Sequence, residues 1–186
     1  MTSTTTTPTA VFTDETLSRA DKLAAEGFYQ PVWLGPSGEE SSGEAVARHL
    51  EATIALLDKD GWIRAYSTTG QPTSPIPDDD TMTVKAMVQT LLRLFREETV
   101  PAGSARTMPT ALRQVGEGEH GDTDTYAVAL RVLDLVVRAH TGFKEAQAIS
   151  WSERNARTHA DITALLTAGA RFARAHGPAG QSTQAA

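Results

Sequence analysis

The stretch ISWSERNARTHADITALL, residues 149–166, decides how the chain is interpreted, because it can mark either an active site or the start of a helix. Thr158 followed by Asp161 matches a capping box, in which each side chain satisfies a free backbone N–H of the other residue. An apolar stripe at helical spacing follows, formed by Ile162, Leu165 and Leu166. The sequence therefore predicts a helix with Thr158 as its N-cap, and Asp161 needs no catalytic role.

The same signals predict four further helices upstream. Three of them cover residues 14–26, 43–59 and 123–140. Thr13 is the predicted N-cap of the first helix, and Ser41 with Glu44 forms a predicted capping box at the start of the second. The remaining helix rests on apolar residues that share one helical face: Val84, Met87, Val88, Leu91, Leu92 and Phe95. The helix at 123–140 has an unusually wide apolar face, which predicts a central position.

Two segments, 27–40 and 61–76, have the composition of short β-hairpins. Each follows a helix through a glycine and an aromatic residue, Gly27-Phe28 and Gly61-Trp62. An ancient duplication would explain this likeness, and so would a common way of leaving a helix. The predicted fold is a mostly α, single-domain bundle of about five helices with one or two short β-hairpins.

Composition narrows the class of protein. The chain has 186 residues, 40% of them hydrophobic, a formal net charge of −6 and no cysteine. This predicts one helical domain at 13–176 between disordered tails at 1–12 and 177–186. No apolar run is long enough to span a bilayer and no signal peptide is evident, so a cytoplasmic protein without membrane contact is expected. The absence of cysteine excludes disulfides and thiolate chemistry.

Two patterns raise the question of catalysis or metal binding. GEGEHGDTD, residues 116–124, clusters oxygen ligands that suit Ca²⁺ or Mg²⁺, but a polar loop leading to a helix capped near Asp122 explains it better. Glu153 and His159 could form an acid–base pair, so a small enzyme with a site near Trp151–Asp161 stays an alternative. We predict no catalytic residue, no metal ligand and no cofactor, and a non-enzyme is favoured.

A DNA-binding alternative comes from residues 47–71, which read as a helix, Gly-Trp and a possible wing, as in winged-helix regulators. Phosphate neutralisation supplies most of the affinity of such proteins. The helix carries acidic residues beside few basic ones, which weakens this reading: Glu44, Glu51, Asp58 and Asp60 against Arg48 and Lys59. Nucleic acid is therefore a possible partner that the net charge disfavours.

A protein-binding interpretation rests on Trp62, Trp151, Arg154 and Arg157. Tryptophan and arginine dominate interface hot spots, and these arginines form a cationic edge on an acidic protein. The alternative is that both Trp rings lock the hairpin and the last helix onto the core. Another protein is the expected partner.

The segments HLEATIALLDKDGW (49–62) and WSERNARTHADITALLTAGA (151–170) resemble a domain family of unknown function that occurs in actinobacteria and their phages. The resemblance covers about residues 46–174. Family members tend to carry a Cys and a Gly-Ala pair where this chain has Thr83-Val84-Lys85-Ala86-Met87, so no role of that Cys carries over. The resemblance implies no activity. It implies an actinobacterial source, with a mobile element as one candidate, and the favoured function is a small non-enzymatic interaction or regulatory module.

Overall fold

The computed structural model describes residues 11–26, 31–65, 105–118 and 121–179, and in these ranges the chain is mostly helical. The described helices are α1 (Asp14–Ala25), α2 (Gly43–Asp60), α3 (Met108–Gly116), α4 (Thr123–Thr141), α5 (Ala148–Ser152) and α6 (His159–His176). The predicted helix at 84–95 lies outside the described residues, as do Gly27 and Phe28 of the suggested duplication.

Helix α4 is central, as its wide apolar face predicts, because it contacts each of the other five described helices. Val132, Leu133, Val136 and Val137 are fully buried on it. The most extensive helix pairing joins α2 to α6. Gly169 on α6 permits close packing against both neighbours, since a Cβ there would lie 3.1 Å from Cδ1 of Leu50 on α2 and 2.7 Å from Cδ2 of Leu133 on α4. The core is therefore built where α2, α4 and α6 meet.

Side-chain caps begin all of the described helices except α5. Thr13 caps α1, and Thr158 and Asp161 form the predicted capping box of α6. The predicted Ser41–Glu44 box of α2 is wrong by one residue, because Ser42 accepts the hydrogen bond from the N–H of Ala45. Ser41 is buried instead, and its Oγ accepts a hydrogen bond from the hydroxyl of Thr125 on α4.

The two predicted hairpins are not formed by the described residues. In the first segment, a single antiparallel bridge pairs Leu34 with Glu40 around a tight turn. The carbonyls of Pro31 and Leu34 turn towards α4 and accept hydrogen bonds from Arg131, so they are not available to a ladder.

In the second segment, Trp62 bridges Arg106 in the parallel sense, and residues 66–76 lie outside the described residues. The N–H of Arg106 donates to Gly61, and the N–H of Ile63 donates to Arg106. The chain that leaves α2 therefore pairs with the segment entering α3, at a buried ion pair in which Nε of Arg106 lies 2.8 Å from Oδ2 of Asp60.

Residues at both ends of the described chain pack onto the bundle. Phe12 is buried, with its ring 4.8 Å from His140 and 5.8 Å from Trp151. The carbonyl of Pro178 accepts a hydrogen bond from the N–H of Gly43. The bounds of the predicted domain and tails stay predictions. None of the helices in the described ranges is long and apolar enough to cross a membrane.

A candidate interaction site at a cationic corner

The structure brings three arginines together at one corner of the bundle. Arg154 and Arg157 lie on the turn between α5 and α6, which is closed by a 2.9 Å hydrogen bond from the N–H of Arg157 to the carbonyl of Arg154. Arg64 follows the Gly61–Arg106 pairing, and its Nη2 donates to the carbonyl of Arg157 over 3.4 Å. We call Arg64, Arg154 and Arg157 the cationic corner.

Trp151 forms the floor of the cationic corner. Its side chain is 1% exposed and packs against Phe12. The Cζ of Arg157 lies 3.9 Å from the centroid of the Trp151 ring, within the range of a cation–π interaction. Trp151 therefore positions Arg157, and in this conformation its own ring is not accessible to a partner.

The arginines of the cationic corner differ from most other described arginines in how their charges are compensated. Six other arginines lie within ion-pair distance of a carboxylate: Arg19, Arg48, Arg106, Arg113, Arg171 and Arg174. Among the described residues, no carboxylate lies within that distance of Arg64, Arg154 or Arg157. The corner therefore concentrates uncompensated positive charge on a chain of net charge −6.

Several hydrogen-bond donors at the corner are also unused. The Nε atoms of Arg64 and Arg157 and the indole Nε1 of Trp151 are buried, and none has a hydrogen-bond partner in the described part of the chain. An unsatisfied buried donor costs roughly 1–3 kcal/mol, more if it is charged. A ligand that offered acceptors to the guanidinium groups would recover part of this cost.

Neighbouring groups respond to the charge at the corner. Burial lowers the pKa of His140, and the positive charge of Arg157 lowers it further. The hydrogen bond from the backbone of Thr158 holds the pKa of Asp161 low, and Arg157 adds to this effect. In both groups the Arg157 charge adds to a larger local cause, burial for His140 and the Thr158 hydrogen bond for Asp161.

The residues predicted from the sequence have different positions. Arg154 is exposed, Arg157 is half-buried, and Trp62 is half-buried against the core at the bridge to Arg106. Arg64 is not among the interaction residues predicted from the sequence. No local signal marks it, because the long-range pairing of Gly61 with Arg106 places it beside Arg157.

Two of the three side chains considered for an enzyme site, His159 and Asp161, contact other side chains of the fold. Nε2 of His159 lies 3.4 Å from Oδ1 of Asp58, and both side chains are partly exposed. Glu153 is the exposed C-cap of α5, and it forms no ion pair with His159 among the described residues. Asp161 completes the capping box. The opening stretch is thus mainly the start of α6.

The acidic loop before α4 also forms a helix start. Asp122 is the N-cap and accepts from the N–H groups of Asp124 and Thr125, while Asp124 accepts from Ser37. Glu117 lies 3.9 Å from Arg113, and Glu119 and His120 are outside the described residues. Within the described ranges, no three His, Asp or Glu side chains are grouped so as to hold a metal ion.

The helix that the DNA-binding alternative would place in the major groove is α2. It packs against α3, α4 and α6, which leaves only one side of it free. Glu44 and Glu51 on that side both bind Arg174 of α6, so carboxylates are prominent there. This surface is poorly suited to the major groove.

These observations define an α-helical protein with a cationic corner at the junction of α5 and α6. The chain belongs to a family of unknown function, DUF6197, whose model matches residues 41–172. The match agrees with the resemblance seen in the sequence and includes all three corner arginines. No curated protein and no solved structure matches the chain.

Proposed function

We propose that this protein is a non-enzymatic interaction or regulatory module of the actinobacterial cytoplasm that binds an acidic segment of another protein at the cationic corner. The observation that carries the proposal is the group of three arginines that have no carboxylate partner among the described residues, where most of the other arginines are paired. A family with members in phages makes a mobile element one candidate source.

The chemistry of the corner favours a carboxylate-bearing ligand. Guanidinium groups bind carboxylates through paired, charge-assisted hydrogen bonds, which are about twice as strong as neutral ones. Trp151 holds Arg157 in place, so little side-chain entropy remains to be lost by that residue on binding. Trp62, half-buried two residues before Arg64, adds apolar surface beside the charges. Arginine and tryptophan are typical of interface hot spots.

A protein segment fits the surroundings better than a nucleic acid. Glu153 directly precedes Arg154, and Asp161 lies in the first turn of α6, four residues after Arg157. A continuous phosphate backbone would meet these carboxylates, whereas a short acidic peptide can place its charges on the arginines alone.

The experiment measures binding of a fluorescein-labelled oligoglutamate peptide to the full chain by fluorescence anisotropy. Arg154→Gln with Arg157→Gln removes two corner charges, and Arg48→Gln with Arg113→Gln removes two charges from exposed pairs elsewhere. We expect the corner variant to bind about tenfold more weakly or worse and the control to change little. Circular dichroism checks that both variants are folded.

Equal weakening in both variants would show non-specific attraction and overturn the proposal. A DNA duplex tested in parallel decides between partners. If the duplex bound more tightly than the peptide, with the same dependence on Arg154 and Arg157, the DNA-binding alternative would replace the protein partner.

A further inference from the structure

A second site lies away from the cationic corner, in a cleft of about 440 Å³ between α2, the end of α3 and the N-terminus of α4. One side of α2 forms a wall through residues spaced one helical turn apart, Ala45, His49 and Ala52. Small and apolar residues leave the space open. The polar groups that line it come from Arg48, His49, Asp122 and Thr125.

His49 is the polar group of the cleft that the fold does not satisfy. It is 6% exposed, and its imidazole makes a hydrogen bond to the carbonyl of Leu112 on α3. Its Nε2 is buried without a hydrogen-bond partner among the described residues. The centroid of the Tyr126 ring lies 6.3 Å from that of the imidazole, and the two rings are tilted relative to each other. Burial lowers the pKa of His49, so the ring is neutral near pH 7 and one of its nitrogens is a hydrogen-bond acceptor.

Several donors around the cleft are bound by acceptors of the protein itself. Arg48 forms a 3.2 Å ion pair with Glu44. The N–H groups of Asp124 and Thr125 at the start of α4 both donate to Asp122. The positive end of the helix is therefore neutralised by its own cap.

The acceptors are in excess. Asp122 brings a carboxylate, and a low pKa keeps it ionised because hydrogen bonds from Thr125 and Asp124 outweigh its partial burial. The cleft continues past Asp122 and Thr125 into a second hollow, where Glu39 and Glu40 contribute further carboxylates. The whole region therefore favours a ligand that donates hydrogen bonds and carries positive charge.

We propose that this cleft binds a small molecule with an apolar body and a primary ammonium group, and that the ammonium donates a hydrogen bond to Nε2 of His49. The apolar body contacts Ala45, Ala52 and Val115, and Asp122 supplies the opposing charge. This site is separate from the cationic corner and does not depend on the proposed function.

The test uses the full chain with benzylammonium chloride as the probe and sodium benzoate as its anionic counterpart. Calorimetry measures affinity, and NMR of the histidine side chains measures the pKa of His49 with and without probe. We expect benzylammonium to bind, benzoate not to bind, and the pKa of His49 to fall further when the ammonium is present, because the bound cation opposes protonation.

Two variants locate the binding. His49→Gln removes the acceptor, and we expect about a tenfold loss of affinity or more, as for a hydrogen bond to a charged group. Ala52→Phe fills the cleft from its exposed wall and keeps the His49 side chain, and it decides the question if His49→Gln does not fold. Ala175→Phe, exposed on α6 away from the cleft, is the matched control.

Several results would overturn the proposal. One is the absence of benzylammonium binding at millimolar concentration, and another is binding that Ala52→Phe leaves unchanged. Preferential binding of benzoate with a raised pKa of His49 would show that the cleft takes anions instead.

Discussion

The buried ion pair of Asp60 and Arg106 offers a sharp test of how the bundle is held together. Both side chains are 4% exposed, and Nε of Arg106 lies 2.8 Å from Oδ2 of Asp60. Arg106→Met keeps the length of the side chain but leaves the Asp60 carboxylate buried and without its partner. Removing one member of a buried pair costs about 3–5 kcal/mol. We expect that loss in the free energy of unfolding.

The loss corresponds to a fall in melting temperature of roughly 6–20 °C for a domain of this size. Urea unfolding followed by circular dichroism measures it. Asp60→Leu combined with Arg106→Met removes both charges, and we expect this double variant to regain most of the stability, because an apolar pair can replace a buried ion pair. The exposed pair of Arg113 and Glu117 is the control, and Arg113→Met should cost at most about 1 kcal/mol.

Two results would refute this reasoning. A loss below about 1 kcal/mol in Arg106→Met would show that water or another group compensates the carboxylate. A double variant as unstable as the sum of its single variants would show that the two side chains act independently.

Three further predictions concern other parts of the bundle. Gly169→Ala should lower stability by about 1–3 kcal/mol in urea unfolding, because the new Cβ would lie 2.7 Å from Cδ2 of Leu133; an unchanged midpoint would contradict the close packing of α6. Thr158→Ala should cost about 1 kcal/mol and speed amide exchange at Asp161, whose N–H it caps, and unaltered exchange would argue against the cap. Burial lowers the pKa of His49 from 6.5, so its contribution to stability is complete above that pH and is lost as the pH falls towards the folded-state pKa. His49→Gln should therefore reduce the slope of stability against pH in this window, and equal slopes in the two proteins would speak against it.

Local signals predict the helix starts well, because a cap involves residues only three positions apart. Thr13, Asp122 and Thr158 all cap helices as expected. The start of α2 shows the limit of this reasoning. Ser41 and Ser42 both suit an N-cap, and only the contact of Ser41 with Thr125, far away in sequence, decides between them.

Short helices and strand pairing depend on packing more than on local pattern. Helix α3 has nine residues and was not predicted, although Pro109 in its first turn is a usable signal. Helix α5 has five residues and no side-chain cap, so little in the sequence marks it. The pairing of Gly61 and Ile63 with Arg106 was not predicted, because Arg106 is distant in the sequence.

The candidate site could be predicted only where its residues are neighbours in the sequence. Arg154 and Arg157 stand close together in the sequence, so their cationic edge could be seen there. Packing of the Trp151 ring onto the core was one of the two interpretations of the sequence, but its contact with Phe12 could not be seen, because Phe12 lies at the other end of the chain. The position of Arg64 depends on the pairing with Arg106, which no local pattern encodes.

Helix α1 and Phe12 just before it precede the segment that the family model matches, yet both belong to the core, α1 through Leu17 and Ala20. Burying the two large side chains contributes roughly 3–6 kcal/mol. If this segment were a separate peptide, such a free energy would give it only a modest affinity for the bundle. Covalent attachment makes that affinity sufficient for docking, because the effective concentration of a tethered segment reaches the millimolar range or above. In thermodynamic terms α1 is an intramolecular ligand of the family domain. Substitutions on its apolar face would therefore change the fraction of molecules in which α1 is docked. Undocking together with Phe12 would expose the surface around Trp151.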